Sequence, residues 1–191
     1  MTKRNASNWL ILFLVFSSLT GCAAVVVGAA VTTVDIATDR RTVGSYIDDN
    51  NLEVSIRSKV MKDSELKKGT HVSVTAMNGI VLLTGEVFSN EQGNRIIKIT
   101  RDHNPREVIN HLQISGTTGI VSRGNDAWIT SKVKTALYTR LKLDANRIKV
   151  VTEYSKVYLL GLVSKKEARD AVNATRTIKG VTKVYKVFEY I

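Results

Sequence analysis

The sequence contains one pattern twice, and that repeat limits the fold more than any other feature. Asn78-Gly79-Ile80-Val81-Leu82-Leu83-Thr84-Gly85-Glu86-Val87 lies over Tyr154-Ser155-Lys156-Val157-Tyr158-Leu159-Leu160-Gly161-Leu162-Val163, an offset of 76 counted from Asn78 to Tyr154. The offset continues through Ser89-Asn90-Glu91-Gln92 against Lys165-Lys166-Glu167-Ala168, and through Val108-Ile109-Asn110-His111-Leu112 against Val184-Tyr185-Lys186-Val187-Phe188. One residue is lost earlier, between Leu66 and Val74, where the second copy has Leu143 to Val150. A period of this size calls for one small module built twice. Modules this small bury limited surface alone, so the two are expected to dock on one another.

Each copy has the same local pattern. Ile129, Val133, Ala136, Leu137 and Leu141 recur at helical spacing behind Asn125-Asp126, which read as helix caps; Leu52, Ile56 and Val60 do the same in the first copy. Arg147 to Thr152 and Val157 to Val163 alternate and are rich in β-branched residues around a turn at Tyr154-Ser155. The matching hairpin runs from Val72 to Ala76, through Asn78-Gly79, to Ile80–Val87, and Asn-Gly is the more usual two-residue turn. A second helix opens at Ser164-Lys165-Lys166-Glu167, a capping box with Ala168, Ala171, Val172 and Thr175 on its inner face; its counterpart starts at Ser89-Asn90-Glu91-Gln92. Val108 to Ser115 and Val181 to Ile191 close the copies as strands. The expected class is α+β: two αββαβ modules, each a three-stranded mixed sheet packed against two helices. The expected domains are residues 46–115 and 125–191, joined by a linker over 116–124.

These motifs resemble the BON domain of bacterial envelope proteins. The second copy carries the resemblance in Val157-Tyr158-Leu159-Leu160-Gly161-Leu162-Val163, Glu167-Ala168 and Gly180-Val181-Thr182-Lys183-Val184; the first carries it in Val81-Leu82-Leu83-Thr84-Gly85-Glu86-Val87 and Glu91. Two departures stand out. Asn104-Pro105 replaces Gly-Val before the last strand of the first copy, and Ser155 stands where the first copy has Gly79. The resemblance implies phospholipid binding, support of outer-membrane integrity and no enzymatic activity.

The N-terminus supplies an address. Lys3 and Arg4 precede the apolar run Leu10-Ile11-Leu12-Phe13-Leu14-Val15-Phe16, which is too short to span a bilayer and has the form of an export signal. It ends in Leu19-Thr20-Gly21-Cys22, which resembles the bacterial lipobox; Cys22 is the single cysteine of the chain. The resemblance implies that residues 1–21 are a signal peptide and that Cys22 receives covalent lipid, palmitate included. Ala23, rather than Asp, after the cysteine implies outer-membrane sorting. The protein would then hang from the inner leaflet of the outer membrane and face the periplasm. Three acyl chains would hold it essentially permanently, since each buried methylene contributes about 0.8 kcal/mol. Residues 22–45 are the lipidated cysteine and its tether. Ala23 to Val34 is apolar but too short to cross a bilayer, so it either lies in the lipid interface or packs back on the fold. Asp35 to Asp49 reads as a polar tether, with a packed arm as the other option.

The formal charge of +11 falls to +9 once Lys3 and Arg4 leave with the signal. Nine bases and nine acids balance over residues 46–114, while residues 123–191 carry fifteen bases and six acids. The mature excess therefore belongs to the second module. An exported lipoprotein meets anionic phospholipid rather than nucleic acid, and each Lys or Arg near such a surface contributes about 1 kcal/mol. In the first helix of that module Trp128 lies off the stripe of Ile129, Val133, Leu137 and Leu141. Lys132 follows one turn later on the same side, with Lys134, Tyr138 and Arg140 elsewhere on the helix. An indole beside lysines suits a membrane interface. The alternative is that Trp128 packs on its own sheet or on the first module. Lys165, Lys166, Arg169 and Arg176 are weaker candidates, explained by a charged outer face.

No pattern calls for catalysis, cofactor or metal. His71, His103 and His111 form no close ligand or nucleophile spacing, and Cys22 is committed to lipid. Gly79, Gly85, Gly161 and Gly180 fall at turns and strand ends, without a phosphate-loop pattern. The expected function is lipid recognition by the second module through Trp128, Lys132, Lys134, Tyr138 and Arg140. A protein adaptor for envelope or outer-membrane protein assembly machinery is the alternative, and a periplasmic chaperone a third reading.

Overall fold

The computed structural model describes residues 39–66, 69–115, 120–141 and 147–191. The signal peptide, Cys22, Ala23 and the apolar stretch that follows lie outside the described residues. The first module comprises α1 (Val43–Lys62), β1 (His71–Met77), β2 (Ile80–Val87), α2 (Asn90–Arg101) and β3 (Glu107–Ile114). The second comprises α3 (Ile120–Leu141), β4 (Lys149–Glu153), β5 (Lys156–Val163), α4 (Lys165–Arg176) and β6 (Lys183–Tyr190). Both sheets are mixed, as expected: β1 pairs antiparallel with β2, and β3 joins β2 in parallel. The same holds for β4, β5 and β6.

Alternation along each central strand explains the layering. Val81, Leu83 and Val87 of β2 join Ile56, Val60 and Ile96 of the helices in one buried core. Val157, Leu159 and Val163 of β5 do the same with Ile129, Val133 and Ala171. The opposite faces of the two sheets meet each other. Met77, Ile80 and Leu82 pack against Tyr158, Leu160 and Val187 in a third core that belongs to both modules. The modules thus dock sheet to sheet, with helices outside. That is why all eight residues of β2 are buried, Glu86 among them, and why its sequence is nearly continuous in apolar residues. Tyr158 and Tyr185 stack with centroids 4.8 Å apart, and His111 of the first module tilts against both at 5.0 and 4.5 Å. Polar contacts close the rim: Lys149 Nζ donates to Glu53 Oε1 and to Ala76 O, each at 2.8 Å. Arg106 and Asn78 donate to the Glu189 carboxylate at 2.8 Å.

Gly85 and Gly161 occupy matching positions and are required by close approach of the neighbouring strand. A methyl on Gly85 would lie 1.9 Å from His71 O, and one on Gly161 would lie 2.4 Å from Arg147 O. Gly85 also has φ +110°, which L side chains rarely adopt.

Three local expectations change. Within the segment read as a linker, residues 120–124 are already helical, and Asn125-Asp126 lies inside α3 rather than capping it. The helix starts early because no proline interrupts it, and Asp126 serves another structure, described below. Secondly, the 76-residue offset slips by one at the second helix. Ser89 caps α2 by accepting from Gln92 N at 3.3 Å, and Ser164 caps α4 in a full capping box. Phe88, exposed, is the extra residue of the first copy. Ser89 therefore matches Ser164, not Lys165.

The third change concerns the tether. From Asp39 onward it is a packed arm, and α1 begins at Val43 with Thr42 as its cap. Arg41 is buried between Asp39 and Asp49, its Nη1 2.6 Å from Asp49 Oδ2. Arg40 reaches the second module, where it grips both oxygens of Glu167 at 2.8 Å and donates to Leu162 O at 3.2 Å.

Candidate functional site

Helix α3 buries Ile129, Val133, Ala136 and Leu137 on its sheet, which orients the rest of its surface outward. Trp128 is 47% exposed and Tyr138 61% exposed. Lys132 Nζ lies 5.6 Å from the centre of the Trp128 ring, a cation–π contact one turn along the helix. Lys134 and Tyr138, four residues apart, form a second exposed strip on the outer surface. Arg140 is set apart: its Nη1 donates to Thr177 Oγ1, at the C-cap of α4, at 3.2 Å. Trp128 with Lys132 and Lys134 with Tyr138 therefore form two separate exposed strips, and Arg140 turns towards the neighbouring helix.

Asp126 is buried within α3 and holds the β4–β5 turn. Its two oxygens accept from Tyr154 N at 2.9 Å and Ser155 N at 2.8 Å. Asp49 performs the same task from α1, accepting from Asn78 N at 2.6 Å and Gly79 N at 2.7 Å. One carboxylate thus satisfies two backbone donors and fixes each hairpin to its helix.

Behind the exposed face lies an acidic cluster where the modules meet. Glu86 of β2 and Glu153 of β4 are both buried. Burial, followed by the charges of Glu86 and Asp126, pushes the Glu153 carboxyl up to about 7, against a smaller opposing effect of Arg123. Burial pushes the Tyr158 phenol up to about 12, with Tyr185 and Glu153 adding to the effect. Burial lowers the pKa of His111, helped by Lys156 and Lys183. At the arm, the hydrogen bonds from Arg40 hold Glu167 down at about 2. Neither Glu153 nor Glu167 was identifiable as perturbed from sequence, because each owes its environment to a residue far away in the chain.

The histidines remain separate in role. His111 is in the tyrosine cluster, His103 Nδ1 is 2.8 Å from Ile99 O, and His71 opens β1. Among the described residues no group of His, Cys, Asp and Glu could hold a metal ion, and no helix is long and apolar enough to cross a membrane.

Two αββαβ units packed through their open sheet faces, with one basic and aromatic helix turned outward, define a tandem α+β domain protein. The sequence profile of the BON domain matches residues 48–116 and 125–191, and the chain belongs to the BON-domain family. It is 34% identical over 174 residues to the outer membrane lipoprotein DolP of Haemophilus influenzae, covering 91% of this chain and 90% of that one. It is also 30% identical over 154 residues to the 21 kDa hemolysin of Actinobacillus pleuropneumoniae, covering 80% and 79%. The outer-membrane, lipid-anchored address read from Cys22 and Ala23 agrees with the name of the first relative. Among solved structures, the C-terminal domain of CdsD, a type III secretion protein of Chlamydia trachomatis, overlaps loosely. It has a TM-score of 0.29 and 15% identity, over 75% of this chain and 67% of that one. No argument rests on that overlap.

Proposed function

We propose that the protein is a non-enzymatic outer-membrane lipoprotein, anchored through Cys22, whose second module binds anionic phospholipid and supports envelope integrity. The observation that carries this reading is the outward pairing of Trp128 with Lys132 on a helix whose other face is fully committed to its core. An exposed indole inserts at the level of the headgroups and the adjoining ammonium group of Lys132 meets lipid phosphate, with Lys134 reaching it from the second strip. Tyr138 adds a second amphipathic ring on the strip of Lys134. The excess of bases over acids in residues 123–191 adds attraction that salt screens.

Flotation of the chain from Asp39 onward, with neutral or anionic liposomes, tests this. Wild type is expected to float only with anionic lipid, less so at high salt, and Trp128→Glu is expected to lose about tenfold or more in binding. Failure of wild type to float with either liposome would remove the lipid reading and favour the protein adaptor, and equal flotation of mutant and wild type would remove Trp128 from it.

A further inference from the structure

Helix α4 and strand β6 enclose a groove of about 460 Å³, within the usual range of ligand clefts. Lys165 and Arg169 line it from the helix, Lys186 and Tyr190 from the strand, over Ala168 and Val172. Lys166 points elsewhere, paired with Asp170 at 2.8 Å. Among the described residues no carboxylate pairs with Lys165, Arg169 or Lys186. Three cations thus converge on an apolar floor.

The first module shows that the scaffold does not require them. Ser89 matches Ser164 at the helix caps, so Lys165 corresponds to Asn90 and Arg169 to Asn94. Leu83 pairs with Asn110 as Leu159 pairs with Lys186, which fixes the third correspondence. Each cation of the groove therefore has an asparagine in its place in the first copy. A merely solvated face would not need three coordinated differences at positions drawn from two separate elements.

The geometry points to an extended acidic peptide of another protein as the occupant: we propose that it adds as a strand along β6 and sets alternate carboxylates against Lys165, Arg169 and Lys186. Among the described residues strand β6 is an edge of its sheet, paired only with β5, so its outer backbone groups can take another strand. Alternate residues of an added strand face α4 and recur about every 7 Å, which suits an acid-x-acid pattern. An apolar residue at the next position facing α4, beyond the acids, would meet Tyr190 and Val172. Helix α4 stands between this groove and α3, and the groove shares no residue with the Trp128 surface. The proposal is thus independent of the lipid reading.

The test is fluorescence anisotropy of a labelled peptide alternating glutamate with valine or threonine, titrated with the mature full-length protein in neutral detergent. Replacing Lys165, Arg169 and Lys186 by Asn, the residues the first module already carries, is expected to weaken binding about tenfold. Removing the same charge from the first module, with Lys59→Asn, Lys62→Asn and Arg101→Asn, is expected to leave binding unchanged. The converse exchange, Asn90→Lys, Asn94→Arg and Asn110→Lys, should create a second peptide site. Absence of peptide binding by wild type, or equal weakening by both charge removals, would overturn the proposal. So would a groove variant that keeps the peptide but loses anionic vesicles, which would make the groove a lipid site. Trp128→Glu is expected to leave peptide binding intact, so the two readings fail separately.

Discussion

In the first module the hairpin turn is Asn78-Gly79, and in the second it is Tyr154-Ser155. Both pairs nevertheless adopt positive φ, 51° and 78° in the first and 51° and 59° in the second. Such a turn favours Asn-Gly, and the second copy holds it with neither residue. What the copies share is the buried aspartate beneath, Asp49 or Asp126, which accepts from both turn amides. Similarly, Asn104 at φ 52° stands where Gly180 stands at φ 94°. The comparison teaches that a backbone geometry can be kept by a tertiary contact when the local sequence no longer favours it. Surface chemistry carries no such constraint, and there the copies part: neutral against strongly basic, asparagines against cations.

Four experiments would break or sharpen that comparison. The largest effect is expected from the aspartates. Asp49→Ala removes the turn support and leaves buried Arg41 with Asp39 alone, for a loss of about 3–5 kcal/mol, whereas Asp126→Ala should cost about 2 kcal/mol. Urea unfolding of the two variants should separate them; equal losses would show that Arg41 gains nothing from Asp49. Next, Gly85→Ala should cost about 3 kcal/mol, since strand contact and positive φ both oppose it. Gly161→Ala, opposed by contact alone, should cost about 1–2 kcal/mol. A reversed order would mean that strand approach outweighs backbone strain.

A pH series probes the contact between copies. Glu153 is raised from 4.5 to about 7 in the folded protein, so the folded state holds its proton more tightly. Stability should be fullest below about 4.5, fall as pH rises to about 7, and level off above it. The total change from this group is up to about 3 kcal/mol. Glu153→Gln should flatten that slope in unfolding experiments between pH 4.5 and 7. Glu167 acts in the other direction: its pKa is held at about 2, so its contribution is present above 4.5 and is lost as pH falls towards 2. The smallest effect is expected at the turn. Ser155→Gly should stabilise by about 1 kcal/mol, and Gly79→Ser should destabilise by a similar amount, as read by thermal unfolding.

Much of this fold was legible because the repeat and the two periodicities agree. The alternation of Ile80 to Val87, the capping box at Ser164 and the stripe from Ile129 to Leu137 each specify their element locally. Asp126 was misread because an aspartate before an apolar helical stripe has the same spacing whether it caps a helix or reaches from within one to a distant turn. The extra Phe88 was hidden because the repeat returns to the same offset at Val108. That single-residue slip also concealed the asparagine correspondence, and Lys186, on the last strand, gave no sign of facing α4. Trp128 was legible as an outward residue from its angle to the stripe. Arg140 was not, because its direction depends on Thr177, a residue of the other helix.

The two arginines of the arm have a mechanical consequence. Arg40 holds Glu167 and Leu162 of the second module, while Arg41 holds Asp49 of the first. A pull arriving from the N-terminal side meets these two clamps before it reaches α1. The load is divided between both modules at their seam, so tension would strain several ion pairs in parallel rather than peel one helix away turn by turn.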